Sequence, residues 1–243
     1  MRKRYTHIFF DLDNTLWDFK TNSVHAMQAA FNLLGLNKLD ISFDVFYEVY
    51  SNHNHRLWDA YRKKEIKKKE LTKLRFQLTF DDLNIDGVDA NEMNTVYLQE
   101  MPKQTFLIDG AEKLLIGLKT AGYKLFIITN GFAEVQHKKM ESSGLQPYFE
   151  KVFISEEFKV PKPGREIFEH AIKSANAKKS SSLMVGDDWE VDIEGALNFG
   201  IDAIFFDPQM QYEKKKKLQS DVATSVFVID QLSKLNSILN VKY

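Results

Sequence analysis

Short apolar runs alternate with stretches of helical spacing along most of the chain. His7 to Phe10 is a β-rich run that ends in acidic residues. Ser23 to Leu34 carries apolar residues at helical spacing, which predicts a helix with Ser23 as its N-cap. From Gly110 onward the alternation becomes regular. Helices are predicted over Ala111–Thr120, Glu134–Ser143, Arg165–Ala175 and Val191–Phe199, with Gly122 and Gly144 as stop signals after the first two. Strands are predicted over Lys124–Ile128, Val152–Ile154, Leu183–Val185 and Ala203–Phe206. A last strand at Val226–Ile229 is followed by a C-terminal helix near Gln231–Leu239.

Strands that alternate with helices imply right-handed βαβ units and a parallel sheet. The stretch from Asp18 to Met101 breaks the rhythm, because it has helical spacing but little strand signal. The expected fold class is therefore α/β: a Rossmann-like parallel sheet of five or more strands with an inserted all-helical cap. Residues 1–17 and 102–243 are assigned to the core and residues 18–101 to the cap, which is expected to close over a substrate and exclude water.

The length of 243 residues suits one core domain with an insertion, and an apolar fraction of 44% supplies a sizeable core. The 33 basic side chains nearly balance the 34 acidic ones, so net charge gives no support for a nucleic-acid or membrane partner. The absence of cysteine excludes disulfides, thiolate zinc sites and a Cys nucleophile, and fits a cytoplasmic protein. Met1-Arg2-Lys3-Arg4 is basic, but the apolar run after it is too short for a signal peptide.

Four clusters share one placement, just after a predicted strand, where open parallel sheets bind ligands. In Asp11-Leu12-Asp13-Asn14-Thr15, two carboxylates lie at i and i+2. Asp11 is placed to attack phosphorus, and Asp13 to protonate a leaving alkoxide and then activate water. Thr129-Asn130-Gly131 offers a hydroxyl and an amide as neutral donors to phosphate oxygens. Lys162, held between two prolines, can neutralise Asp11 and a phosphate together. Asp187-Asp188, with Asp192 four residues later, calls for a hard cation, and Mg2+ suits Asp11 plus Asp187 or Asp188. Asp192 would orient metal-bound water or a loop, or cap a helix. Each cluster alone has a plain alternative: an acidic cap, an Asn-Gly turn, a surface lysine. All four in order are far harder to obtain by chance.

The motifs DLDNT, TNG, VPKPG and GDDWEVD resemble those of the haloacid dehalogenase (HAD) superfamily, and the resemblance runs over essentially the whole chain. It implies a Mg2+-dependent phosphatase with Asp11 as nucleophile, Asp13 as acid/base, and Thr129 and Lys162 on the phosphate. Asp11, the Asp13 main-chain carbonyl and Asp187 would hold Mg2+, while Asp188 falls where relatives carry either another residue or a second acidic ligand. Thr129–Phe132, Ile154–Glu157 and Lys162-Pro163, with Leu57–Arg62 and Leu74–Phe76 in the cap, resemble the YjjG-type branch of pyrimidine nucleoside monophosphatases. That branch implies a nucleoside 5'-monophosphate as the partner molecule.

Rival readings are a sugar-phosphate phosphatase, a phosphomutase on the same scaffold, a receiver-like phospho-Asp module, and a non-catalytic binding protein. Asp13 and the cap oppose the receiver, and the intact motifs oppose the binding protein. Trp17 either stacks on a base or packs the hinge, and Asn14 either touches substrate or closes its loop. His53 and His55, the basic run Lys63–Lys73 and Lys214–Lys217 are assigned to solvated surface.

Overall fold

The computed structural model describes residues 5–210 and 224–239. The chain begins with β1 (His7–Phe10) and then enters four helices, α1 (Phe19–Leu33), α2 (Phe43–Arg62), α3 (Lys68–Leu83) and α4 (Ala90–Glu100). From there strands and helices alternate: α5 (Ala111–Thr120), β2 (Lys124–Thr129), α6 (Ala133–Ser142), β3 (Lys151–Ile154), the single turn α7 (Ser155–Phe158), α8 (Arg165–Ser174), β4 (Ser182–Gly186), α9 (Gly195–Phe199), β5 (Asp202–Phe206), β6 (Val226–Ile229) and α10 (Lys234–Leu239). The six strands form one sheet in the order β3-β2-β1-β4-β5-β6, and every pairing is parallel.

The α/β reading thus holds. Every residue of β1, β4 and β5 is buried, as expected for a parallel sheet covered on both faces. On one face Phe9, Phe126, Ile128, Met184 and Ala203 pack with Ile167, Phe168 and Ala171 of α8 and Ala196 and Phe199 of α9. The chain runs to one side of β1 through β2 and β3, and to the other through β4, β5 and β6. The strand order therefore reverses between β1 and β4, the place where such sheets bind ligands. Register fixes what meets there: Phe10 lies opposite Val185, so Asp11 and Asp187 leave the sheet at the same edge.

Contacts divide the chain into two compact units, Met1–Phe19 with Phe106–Tyr243, and Lys20–Thr105. In the first unit, the outgoing and returning segments are tied together. Asp18 N–H donates to Phe106 O (3.0 Å), Ile108 N–H donates to Leu16 O (2.9 Å), and Trp17 bridges Leu107. Among its described residues the second unit has helices joined by short turns and no strand. Its core joins Phe46, Tyr50, Phe76, Phe80 and Tyr97 around the buried Arg75, whose guanidinium donates to the side-chain oxygens of Asn54 (3.2 Å) and Asn94 (2.6 Å).

Three local expectations change. The first helix begins at Phe19, and Ser23 lies inside it with its hydroxyl donating back to Lys20 O (3.2 Å), so it caps nothing. His53 is buried in α2 between Asp82 and Arg56, each 2.8 Å away, whereas His55 is exposed. The helix expected over Val191–Phe199 is a wide π-type turn, Trp189–Glu194, followed by the short α9. The Lys214–Lys217 run and Met1–Arg4 lie outside the described residues. Among those described, no helix is long and apolar enough to cross a membrane.

Candidate active site

Asp11 is the first residue past β1, and its N–H donates to Val185 O (2.8 Å) of the neighbouring strand. This bond continues the ladder by one rung and fixes the point where the carboxylate emerges. Lys162 comes from the turn before α8 and is 1% exposed. Its Nζ donates to Asp11 Oδ1 (2.5 Å) and to Asp192 Oδ1 (2.6 Å). These carboxylates hold the ammonium firmly charged against the cost of its burial, so its pKa lies above the usual lysine range.

Asn130 explains how a turn residue is held so firmly. Its Oδ1 accepts from Lys162 N–H (2.8 Å) and its Nδ2 donates to Lys162 O (3.0 Å). Both ends of the amide grip one residue's main chain. One Nδ2 hydrogen therefore serves Lys162, and the expected donation from Asn130 to a phosphate falls to the other.

Asp187 follows β4, and its Oδ1 accepts from the buried Thr15 hydroxyl (3.1 Å). Asp192 returns from the wide turn toward the strand end, and its Oδ2 accepts from Asp188 N–H (3.2 Å). Gly186 makes room for it, since a Cβ there would lie 2.3 Å from Asp192 Oδ2. Asp11, Asp187 and Asp192 each present a ligand oxygen within 4.8 Å of the others. Asp188, considered as a further metal ligand, is not in that group. Its Oδ1 caps the turn, accepting from Glu190 N–H (3.1 Å) and Val191 N–H (3.0 Å).

The electrostatics of this group are unbalanced. Three carboxylates in the ionised state carry three negative charges against the single positive charge of Lys162. Burial, reinforced by the neighbouring carboxylates, lifts Asp11 well above the carboxylate range, against the pull of Lys162. Burial also lifts Asp192. Burial and the facing Asp192 lift Asp187 to about 7. Oxygen donors at this spacing with two uncompensated charges fit a hard divalent cation such as Mg2+.

Asp13 lies beside this cluster with a different set of partners. Lys139 Nζ donates to its Oδ1 (2.7 Å), and Gln136 Nε2 donates to its Oδ2 (2.9 Å). Gln136 Nε2 also reaches the hydroxyl of Thr129 (2.7 Å), the last residue of β2. Thr15 closes the first motif, whereas Gln136 and Lys139 belong to none of the four clusters. Their signal is positional, because Gln136 and Lys139 fall in line with Val135 and Met140 on the buried face of α6. Trp17 is fully buried, with Lys139 Nζ 4.0 Å from a ring centre. Asn14 takes a left-handed conformation (φ 61°), and its N–H closes the loop onto Trp17 O (2.8 Å).

A family model described as haloacid dehalogenase-like hydrolase matches residues 5–200. The pyrimidine 5'-nucleotidase PynA of Streptococcus pneumoniae is 32% identical over 205 residues, 84% of each chain. The pyrimidine 5'-nucleotidase YjjG of Escherichia coli is 29% identical over 235 residues, 94% of this chain and 98% of its own. Other relatives bear the name glyceraldehyde 3-phosphate phosphatase. Among solved structures, the HAD-hydrolase YfnB of Bacillus subtilis, bound to magnesium, superposes with a TM-score of 0.83 at 27% identity, covering 98% of this chain and all of its own.

Proposed function

From the premise that this chain belongs to the haloacid dehalogenase-like hydrolase family and is a phosphoric monoester hydrolase, we propose that it hydrolyses nucleoside 5'-monophosphates through an aspartyl-phosphate on Asp11. The observation that carries the chemistry is the buried group at the strand-order reversal: Asp11 bonded to Lys162, with Asp187 and Asp192 alongside. A nucleophile in this position meets the phosphate beside a fixed ammonium.

Asp11 attacks phosphorus, and the bond to the leaving alkoxide breaks as Asp13 delivers a proton to that oxygen. Asp13 then takes a proton from water, which attacks the same phosphorus, frees inorganic phosphate and regenerates Asp11. Lys162 and the Thr129 hydroxyl hold phosphate oxygens throughout. Mg2+ would be held by Asp11 and Asp187 with the Asp13 carbonyl, and would offset repulsion between carboxylate and phosphate. Asp192 serves this arrangement by anchoring Lys162.

The nucleotide reading is supported by the near full-length similarity to PynA and YjjG. The glyceraldehyde 3-phosphate phosphatases among the relatives favour a small sugar phosphate as the second reading. The test is Mg2+-dependent phosphate release from a panel of nucleoside monophosphates and sugar phosphates. Selective release from pyrimidine nucleotides is expected. Release mainly from sugar phosphates would retain the chemistry and replace the substrate. Asp11→Asn should abolish turnover in a folded protein, and wild-type turnover by that variant would refute the nucleophile.

A further inference from the structure

Lys139 and Gln136 stand outside every motif that the sequence brings forward, yet both touch Asp13. They sit three residues apart on α6, so they share one helix face. Gln136 is fully buried and Lys139 is 2% exposed. Burial pulls the Lys139 pKa below its usual value, against the attraction of Asp13, so the position is costly for an ammonium. Its charge faces the Asp13 carboxylate on one side and the rings of Trp17 (4.0 Å) and Phe19 (5.2 Å) on the other.

The second contact is as specific. Thr129 Oγ1 accepts from Gln136 Nε2 (2.7 Å) and from Gly131 N–H (3.2 Å). With both lone pairs engaged, the hydroxyl hydrogen remains available to donate to a ligand. The same Nε2 reaches Asp13 Oδ2. One amide therefore links the hydroxyl assigned to the phosphate with the carboxylate assigned to proton transfer. Gly131 must be glycine for this, because a Cβ there would lie 2.4 Å from Gln136 Cδ.

We propose that Lys139 and Gln136 are positioning residues for the proton-transfer step: together they fix both oxygens of Asp13 relative to the Thr129 hydroxyl, and so to the leaving-group oxygen of a bound phosphate ester. This rests on the reading of Asp13 as acid/base. A scaffold ion pair would support every substrate alike. A positioning pair matters most where the leaving oxygen needs a proton.

The test measures the phosphorylation step in single turnover with two esters: the best alkyl phosphate from the panel, whose alkoxide needs a proton, and p-nitrophenyl phosphate, whose phenolate does not. Lys139→Met should slow the alkyl ester by about 10- to 100-fold, part of the 10²–10⁴ typical of acid–base catalysis, while the single-turnover rate of p-nitrophenol release changes by less than about threefold. Lys139→Arg should recover most of the alkyl rate. Gln136→Leu, which leaves the Lys139–Asp13 pair intact, should show a smaller skew together with a raised KM. Equal losses on both esters in Lys139→Met and Gln136→Leu, or no loss, would overturn the proposal. Asp13→Asn is the reference. If it lacks the skew, the acid/base reading itself fails, whereas a skew in Asp13→Asn without one in the α6 variants removes only the positioning role.

Discussion

Replacing Asp187 with asparagine should stabilise the metal-free protein while disabling the enzyme. Asp187 shares its buried group with Asp11 and Asp192, and its pKa rises from 3.8 to about 7. The sign follows from linkage. The folded state keeps a proton that the unfolded chain has already released, so stability falls as pH rises from about 4 to about 7 and is level above that. A difference of about three units at about 1.4 kcal/mol each sets a ceiling of about 4 kcal/mol. Solvent near this half-buried carboxylate reduces it, and about 2 kcal/mol is expected, or roughly 4–8 °C in Tm for a chain of this size. Asparagine retains an oxygen to accept the Thr15 hydroxyl, so packing changes little. The assay is thermal unfolding of both proteins in EDTA at about pH 5 and about pH 8, repeated with excess Mg2+. In EDTA the variant should melt higher at the alkaline pH, with the gap reduced by more than half at the acid pH. Mg2+ should then raise the wild type and leave the variant nearly unmoved. A variant no more stable than wild type in EDTA at about pH 8, or a gap independent of pH, would refute the charge-imbalance reasoning.

Two further outcomes follow from the clamp and the close approach. Asn130→Ala removes both bonds to the Lys162 main chain. A fall of about 1–3 kcal/mol in urea-unfolding stability is expected, with kcat reduced about tenfold as Lys162 loosens. Gly186→Ala places a methyl within 2.3 Å of Asp192 Oδ2 and displaces that carboxylate from Lys162. The expected cost is about 1–3 kcal/mol, with activity lost, checked by melting and phosphate release.

The parallel sheet was legible because its signals are local: short apolar runs, each closed by polar residues, with helical spacing between them. Asp11, Thr129 and Asp187 stood out for the same reason, as polar residues at the ends of apolar runs. The partners of these groups were less visible. Asn130 looks like half of an Asn-Gly turn until Lys162, thirty-two residues away, is brought against it. The bend that returns Asp192 to the strand end depends on the wide turn after Asp188, which periodicity alone reads as an ordinary helix. Lys139 resembles its neighbour Lys138 until α6 is laid against the Asp13 loop. Charge in the sequence marks the surface by default, and only packing shows which charges are inside.

The tie between Asp18 and Phe106 has a topological consequence. The chain leaves the α/β unit after Phe19 and returns at Phe106, beside two backbone bonds that already hold the ends together. To the sheet, everything from Lys20 to Thr105 is one closed loop, and its length enters the entropy of closure only logarithmically. Every group of the acidic cluster and of the Asp13 network lies outside that loop. A change in the length of the intervening helices therefore acts on the first unit through one pair of tied ends, and the proposed reaction centre takes no residue from them.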